Sequence, residues 1–326
     1  MLPNTLAKML LGVTLAGMAG LSAAADDTWP SRQVSIVVPF AAGGGVDNVA
    51  RVVAAQLAQE LMQTVIVENR AGAGGLVGAK HVAEAQADGY TLLMGTQTTL
   101  AVAPLLHPDS GLDPLTAFAG VGKIGSSPLL LVANPEFPVR TVKELVDLAK
   151  KEPGKIDYGS GGVGTTPHMA MALLSLDTGI DMTHVPYKGE QPALTDVMGN
   201  QISLMFSNLP VALPLAKSGK LRPIAVSSPQ RSPAAPHIPT VAESGVPGFE
   251  AGTWFAIVAP ADTPKDVIEE LNDKIGKALR EPKVRDTLQG QGMTVQTDTP
   301  QQLDDYMDSE YEKWARVVKE AKIKVQ

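Results

Sequence analysis

At 326 residues, 44% hydrophobic and 19% charged, the chain has the length for two α/β units and the composition of a folded globular protein. It contains no cysteine, which excludes disulfides, thiolate catalysis and cysteine-ligated metals. With 27 basic and 34 acidic side chains the net charge is −7, which disfavours nucleic acid and anionic membrane surfaces as partners.

The first 25 residues differ from the rest. Lys8 is their single charge, residues 9–21 are apolar, and Ser22-Ala23-Ala24-Ala25 supplies the small residues a signal peptidase needs. The apolar run is shorter than the roughly 20 residues a membrane-spanning helix requires. Residues 1–25 are therefore expected to be a cleavable secretory signal. Its removal takes one lysine away and leaves a soluble mature chain of charge −8, with no cysteine to carry a lipid anchor.

From Arg32 onward strand-like and helix-like segments alternate, the pattern of an α/β fold with mainly parallel sheets. Residues 34–38 read as a buried strand, followed by the loop ending Gly43-Gly44-Gly45. A helix then begins near Val46, with Val46, Val49, Ala50, Val53, Ala54, Leu57 and Leu61 at 3.6-residue spacing. A second unit follows: strand 64–67, loop 70–75, helix 76–87 and strand 90–94. Residues 104–114 hold three prolines and are expected to form a surface loop. Residues 129–133 read as a strand, and Thr141 with Glu144 forms a capping box opening a helix. Strand 155–158, a glycine loop to Gly164 and a helix over 167–176 repeat the theme. Short strands are expected at 185–189, 202–206, 223–227 and 254–259. Thr263-Pro264 starts a helix with proline in its first position. The last helix, from about Pro300, carries Leu303, Met307, Tyr311, Trp314 and Val318 on one face and is expected to dock on one lobe.

Three glycine loops each precede a helix: Pro39 to Asp47, Asn69 to Gly75, and Gly159 to His168. Unpaired N–H groups and the helix dipole favour an anion at such a position, and glycine lets the backbone come close to it. A single loop of this kind is often only a tight turn; three in one chain favour a carboxylate or phosphate site. Gly159, Gly161 and Gly164 match G-x-G-x-x-G, but the strand before them is short and polar and the first α/β unit lacks the spacing, so a dinucleotide site is disfavoured. No phosphate-binding G-x-x-x-x-G-K-[ST] motif occurs. His81, His107, His168, His184 and His237 show no zinc-ligand spacing, and there is no G-x-S-x-G elbow. Asp47 is favoured in the first helical turn by the dipole alone. No cofactor, metal or catalytic residue is expected, and the chain is not read as an enzyme.

Taken in order, Trp29-Pro30, Pro39-Phe40 with Gly43-Gly44 and Asp47, Glu68-Asn69-Arg70 with Gly72-Ala73-Gly74-Gly75, and Asp88-Gly89-Tyr90-Thr91-Leu92 follow a recognisable pattern. It continues through Tyr158-Gly159-Ser160 with Gly162, Gly164 and His168, Val185-Pro186-Tyr187-Lys188-Gly189, Gly219-Lys220-Leu221-Arg222, Pro239-Thr240 with Glu243 and Gly245, and Trp254. The chain resembles the Bug/TctC family, the extracytoplasmic solute receptors of tripartite tricarboxylate transporters. The resemblance implies a bilobal type II periplasmic-binding fold of two Rossmann-like lobes, here residues 26–127 plus 247–326 and residues 128–246. It also implies a small carboxylate held between facing loops by main-chain N–H groups. Carried onto this chain, the ligand residues would be Phe40, Ala42, Gly43, Gly44 and Asp47 on the first lobe and Ser160, Gly164, Thr165, Thr166 and His168 on the second. Thr96, Gln97, Ser207 and Asn208 would line the rest of the cleft, beyond strand ends. Gly45-Val46, Asn48, Thr165-Thr166 and Gln97 would meet the distal part of the ligand. Valine at Gly44 or Gly164 is expected to block the carboxylate.

The expected partners are the ligand and the membrane subunits of the transporter, with the receptor a periplasmic monomer. A sensor presenting its closed form to a signalling partner uses the same cleft, and an exported enzyme with a phosphate-bearing cofactor is the remaining reading.

Overall fold

A computed structural model describes residues 29–324; the expected signal at residues 1–25 lies outside them. The strands are β1 (Val34–Val38), β2 (Val65–Asn69), β3 (Thr91–Thr96), β4 (Phe118–Ala133), β5 (Asp157–Ser160), β6 (Thr183–Pro186), β7 (Leu204–Asn208), β8 (Arg222–Val226), β9 (Gly252–Pro260) and β10 (Thr294–Val295). In the first lobe β2, β1 and β3 run parallel, and β9 and β4 complete the sheet antiparallel. In the second lobe β6, β5 and β7 run parallel, while β4 pairs antiparallel with β7 and β8. Helices cover both faces of each sheet and make four apolar cores, two per lobe. The buried run Val-Ser-Ile-Val-Val of β1 is what a parallel strand covered on both sides requires.

The lobes are joined through β4. Its residues Phe118–Pro128 pair with β9, and from Leu129 onward it pairs with β7 and β8 in the other sheet. Only the second half, 129–133, reads as a strand in the sequence. The first half is interrupted by Gly120, Gly122 and Gly125 and by two register shifts against β9, which erase the period of two. Those glycines are needed because neighbours close on them. A Cβ at Gly120 would lie 2.6 Å from Asp304 Oδ1, and one at Gly125 would lie 2.3 Å from the Thr294 carbonyl of β10.

The helix Gly45–Leu61 buries Val49, Ala50, Val53, Ala54, Leu57 and Leu61 as the spacing predicts, with Val46 left half-exposed. The helix after the second glycine loop, Leu76–Ala83, is shorter than the expected 76–87. The proline-rich segment is a correction. Helical turns cover Thr98–Val102, Ala103–Leu106, Pro108–Ser110 and Pro114–Ala117, and prolines 104, 108 and 114 sit in first turns, where their missing N–H costs nothing. Pro264 caps the helix Lys265–Arg280 from outside rather than opening it. The Thr141–Glu144 capping box is present, with Glu144 N–H to Thr141 Oγ1 at 3.1 Å.

The C-terminal helix Pro300–Glu320 also differs from expectation. Its buried residues are Leu303, Met307, Glu310, Trp314 and Val317, so Tyr311 and Val318 yield the inner face to Glu310 and Val317. Leu303 and Met307 join a first-lobe core, whereas Trp314 and Val317 join the second-lobe core. Arg316 Nη2 reaches Asp177 Oδ1 of the second lobe at 3.1 Å. The helix therefore docks on both lobes.

Candidate ligand cleft

The first glycine loop is locked by Asp47. Its buried carboxylate accepts the Gly43 N–H at 2.8 Å and Arg51 Nε–H at 2.9 Å on Oδ2, and Asn69 Nδ2–H at 2.9 Å on Oδ1. The same Asn69 amide donates to the Phe40 carbonyl at 3.1 Å. The Arg51 guanidinium first, and then the Gly43 and Asn69 donors, hold the Asp47 pKa down to about 2 against the opposing cost of burial. This carboxylate's three hydrogen-bond partners are all internal, and they shape the loop. Phe40 packs its ring on the first-lobe core, and Ala42, Gly43 and Gly44 form the exposed loop tip. Gly43, at φ +81°, makes the turn that aims the following helix. Gly44 caps that helix without a side-chain bond, and the N–H groups of Gly45, Val46 and Asp47 find no protein acceptor among the described residues.

This helix end forms one wall of a cleft of about 450 Å³ between the lobes. Gly45, Val46, Asn48 and Val49 line it from the first lobe; Glu190, Asn208, Pro210 and Val211 face them from the second. Ser127 and Thr253 of the crossing strands, with Phe255, Gln291 and Met293, complete it. No lysine or arginine lines it. Any anion held here is held by neutral donors, the backbone N–H groups of the helix end and the hydroxyl and amide side chains of the lining.

The second glycine loop is turned toward the junction of the lobes. Thr165 Oγ1 donates to the Gly162 carbonyl at 2.8 Å, and Ser160 Oγ accepts the Gly162 N–H at 3.1 Å. Gly164, at φ +79°, packs so closely on the first lobe that a Cβ would sit 2.5 Å from Leu106 Cδ1. Thr166 Oγ1 donates to Gln97 Oε1 at 2.9 Å across the junction and receives Thr253 Oγ1 at 3.3 Å. Gln97 is fully buried, and its Nε2 is left without a partner. Thr96 Oγ1 caps the neighbouring turn, accepting Thr99 N–H at 3.3 Å. Ser207 Oγ and the Asn208 N–H and one Nδ2–H donate to Glu190, which commits these donors and leaves the second Nδ2–H of Asn208, a cleft residue, without a protein acceptor among the described residues.

His168 does not line this cleft. Its Nδ1 accepts the Gly164 N–H at 3.1 Å, and its ring stacks on His184 at 3.9 Å, with Tyr158 5.0 Å beyond. This stack lines a separate cavity of about 530 Å³ on the second lobe, away from the cleft. The helix period that buries Met169 and Ala172 places residue 168 on that side. Burial, helped by the charge of His184, pushes the His168 pKa down to about 3; burial pushes His184 to about 4. Both are below the unfolded value near 6.5. Their contribution to stability is complete above about pH 6.5 and is lost as pH falls toward 3, because the unfolded chain then binds more protons. Unfolding midpoints measured from pH 7 to pH 4 should therefore decline, and His168→Leu should remove up to about 1.4 kcal/mol per pH unit from that slope.

Glu190, Thr253, Phe255, Pro210, Val211, Gln291 and Met293 are cleft residues that sequence reasoning missed. Thr253 and Phe255 flank Trp254 in a buried strand, where alternation alone gives them the face opposite the indole. Glu190 follows Gly189 at a helix start, a position an acid occupies for dipole reasons without any site.

The receptor family described as "Tripartite tricarboxylate transporter family receptor" matches residues 49–323. Protein BugT of Bordetella pertussis is 37% identical over 318 residues, 97% of each chain. The chain belongs to this receptor family. Among solved structures, the R. palustris protein Rpa4515 with adipate is 37% identical, with a TM-score of 0.77 over 91% of this chain and 99% of that one. MatC from Rhodopseudomonas palustris with bound malate is 33% identical, with a TM-score of 0.74 over 89% and 99%. The receptor is thus a solute-binding protein of the Bug/TctC kind and not an enzyme. Among its described residues no helix is long and apolar enough to cross a membrane, and no group of three His, Asp or Glu side chains could hold a metal.

Proposed function

We propose that the protein is a periplasmic receptor, exported by its first 25 residues, that captures a small carboxylate in the cleft and delivers it to the membrane subunits of a tripartite tricarboxylate transporter. The observation that carries this reading is the uncapped helix end at Gly45–Asp47, which offers converging N–H groups on a cleft wall that holds no basic side chain. The buried Gln97 Nε2, unpartnered where the lobes meet, is a further donor for closure to use. The relatives' adipate and malate support a carboxylate of this size. Docking on the first lobe, followed by closure of the second about β4 and β9, encloses the ligand.

A thermal-shift screen of the mature protein against carboxylic acids and neutral compounds tests this. A true ligand at 100 times its Kd adds about 2.7 kcal/mol to the native state and raises the midpoint accordingly. Shifts from neutral compounds alone, with none from any carboxylate, would overturn the reading.

A further inference from the structure

We propose that Glu190 makes the receptor selective for carboxylates that carry a nitrogen donor at their other end, an ammonium above all, and sets it against dicarboxylates. This rests on the carboxylate-receptor reading and adds what the second lobe asks of the ligand.

Glu190 is the one charged side chain lining the cleft. Its carboxylate is fixed: Oε1 accepts Ser207 Oγ–H at 2.6 Å and Asn208 N–H at 2.7 Å, and Oε2 accepts Asn208 Nδ2–H at 2.9 Å. Three neutral donors hold it, yet no lysine or arginine pairs with it among the described residues. A carboxylate offers about four lone-pair positions, so one on Oε2 is still open.

The two walls of the cleft are therefore electrically unlike. The first lobe presents bare N–H groups at Gly45–Asp47, and the second presents a held anion at the start of its own helix, where a ligand anion would otherwise settle. A ligand bridging the walls is favoured when it is itself polarised: carboxylate toward Gly45 and N–H donors toward Glu190. A second ligand carboxylate would instead face Glu190 across the cleft with no cation between them.

The test is calorimetric titration of the mature protein with 4-aminobutyrate, 5-aminopentanoate and 6-aminohexanoate against succinate, glutarate and adipate. The expected result is that the best amino acid binds at least about tenfold more tightly than the diacid of equal length, about 1.4 kcal/mol. Glu190→Gln, which keeps the acceptor for Ser207 and the Asn208 N–H, should cut that ratio at least tenfold. Wild-type protein that binds diacids as tightly as amino acids would overturn the inference and leave the receptor reading standing, whatever the variant does. Binding of a neutral compound with none of the six acids bound would overturn both.

Discussion

Gly45→Leu is expected to abolish ligand binding without harming the fold. Gly45 has ordinary helical geometry in the first turn of its helix, and a Cβ there meets nothing within 4 Å. The added side chain stands in the cleft beside the N–H groups that are to hold the carboxylate. A loss of at least about hundredfold in Kd, ~2.7 kcal/mol, is expected. The melting midpoint should hold or rise, because leucine is the better helix former by a few tenths of a kcal/mol or more. Gly45→Ala, one methyl in open space, should cost less than about fivefold, under 1 kcal/mol. Binding that survives Gly45→Leu at wild-type affinity, measured by titration with any ligand found in the screen, would place the anion elsewhere. Gly164 is the wrong residue for this experiment, contrary to the expectation from sequence. Valine there needs a positive φ of 79° and collides with Leu106, so it should lower stability by about 1–3 kcal/mol from strain and overpacking, and any loss of binding would follow from that.

The difference between Gly45 and Gly164 shows what sequence could and could not supply. Both belong to glycine loops before helices, and pattern alone treats them alike. Only packing separates a glycine that leaves room for a ligand from one that leaves room for the neighbouring lobe. Local signals did better: the β-branched run of β1 and the Thr141–Glu144 capping box are settled within a few residues and appear where expected. Asp47 and His168 stand out in the sequence, but their partners lie 22 and 16 positions away at Asn69 and His184, and no local pattern shows those contacts. Glu190 and Glu310 were missed for one common reason. An acid in an amphipathic pattern reads as solvent-facing unless its donors are known, and the donors here come from Asn208 and Trp254, on other elements.

Glu310→Leu is expected to lower stability strongly. Glu310 is 5% exposed, and its Oε2 accepts two indole donors, Trp254 Nε1–H at 2.9 Å and Trp314 Nε1–H at 3.0 Å, while Lys313 pairs with Oε1. Both indoles are buried, so Glu310→Leu strands two N–H groups and takes the carboxylate from Lys313, whose ammonium keeps the Glu250 carbonyl. Removing one partner of a buried charged network costs about 3–5 kcal/mol. For a chain of this size that is a fall of roughly 5–10 °C in melting midpoint. Glu310→Gln keeps one acceptor oxygen and should lose about half as much, and Lys313→Ala about 1 kcal/mol or less, since its ammonium reaches water. Scanning calorimetry of the three variants checks the order, and a Glu310→Leu midpoint within 2 °C or so of wild type would mean that the indoles find other acceptors. The position of the network gives the result a second meaning. Trp254 lies on β9, the strand paired with the lobe-crossing β4, and Trp314 lies in the second-lobe core, so one carboxylate ties the C-terminal helix to the crossing strands and to both lobes. On the closure proposed above, the helix behind the crossing strands must move with one lobe or flex. Glu310→Gln, which loosens that tie without removing it, should therefore change ligand affinity as well as stability, although it lines no part of the cleft.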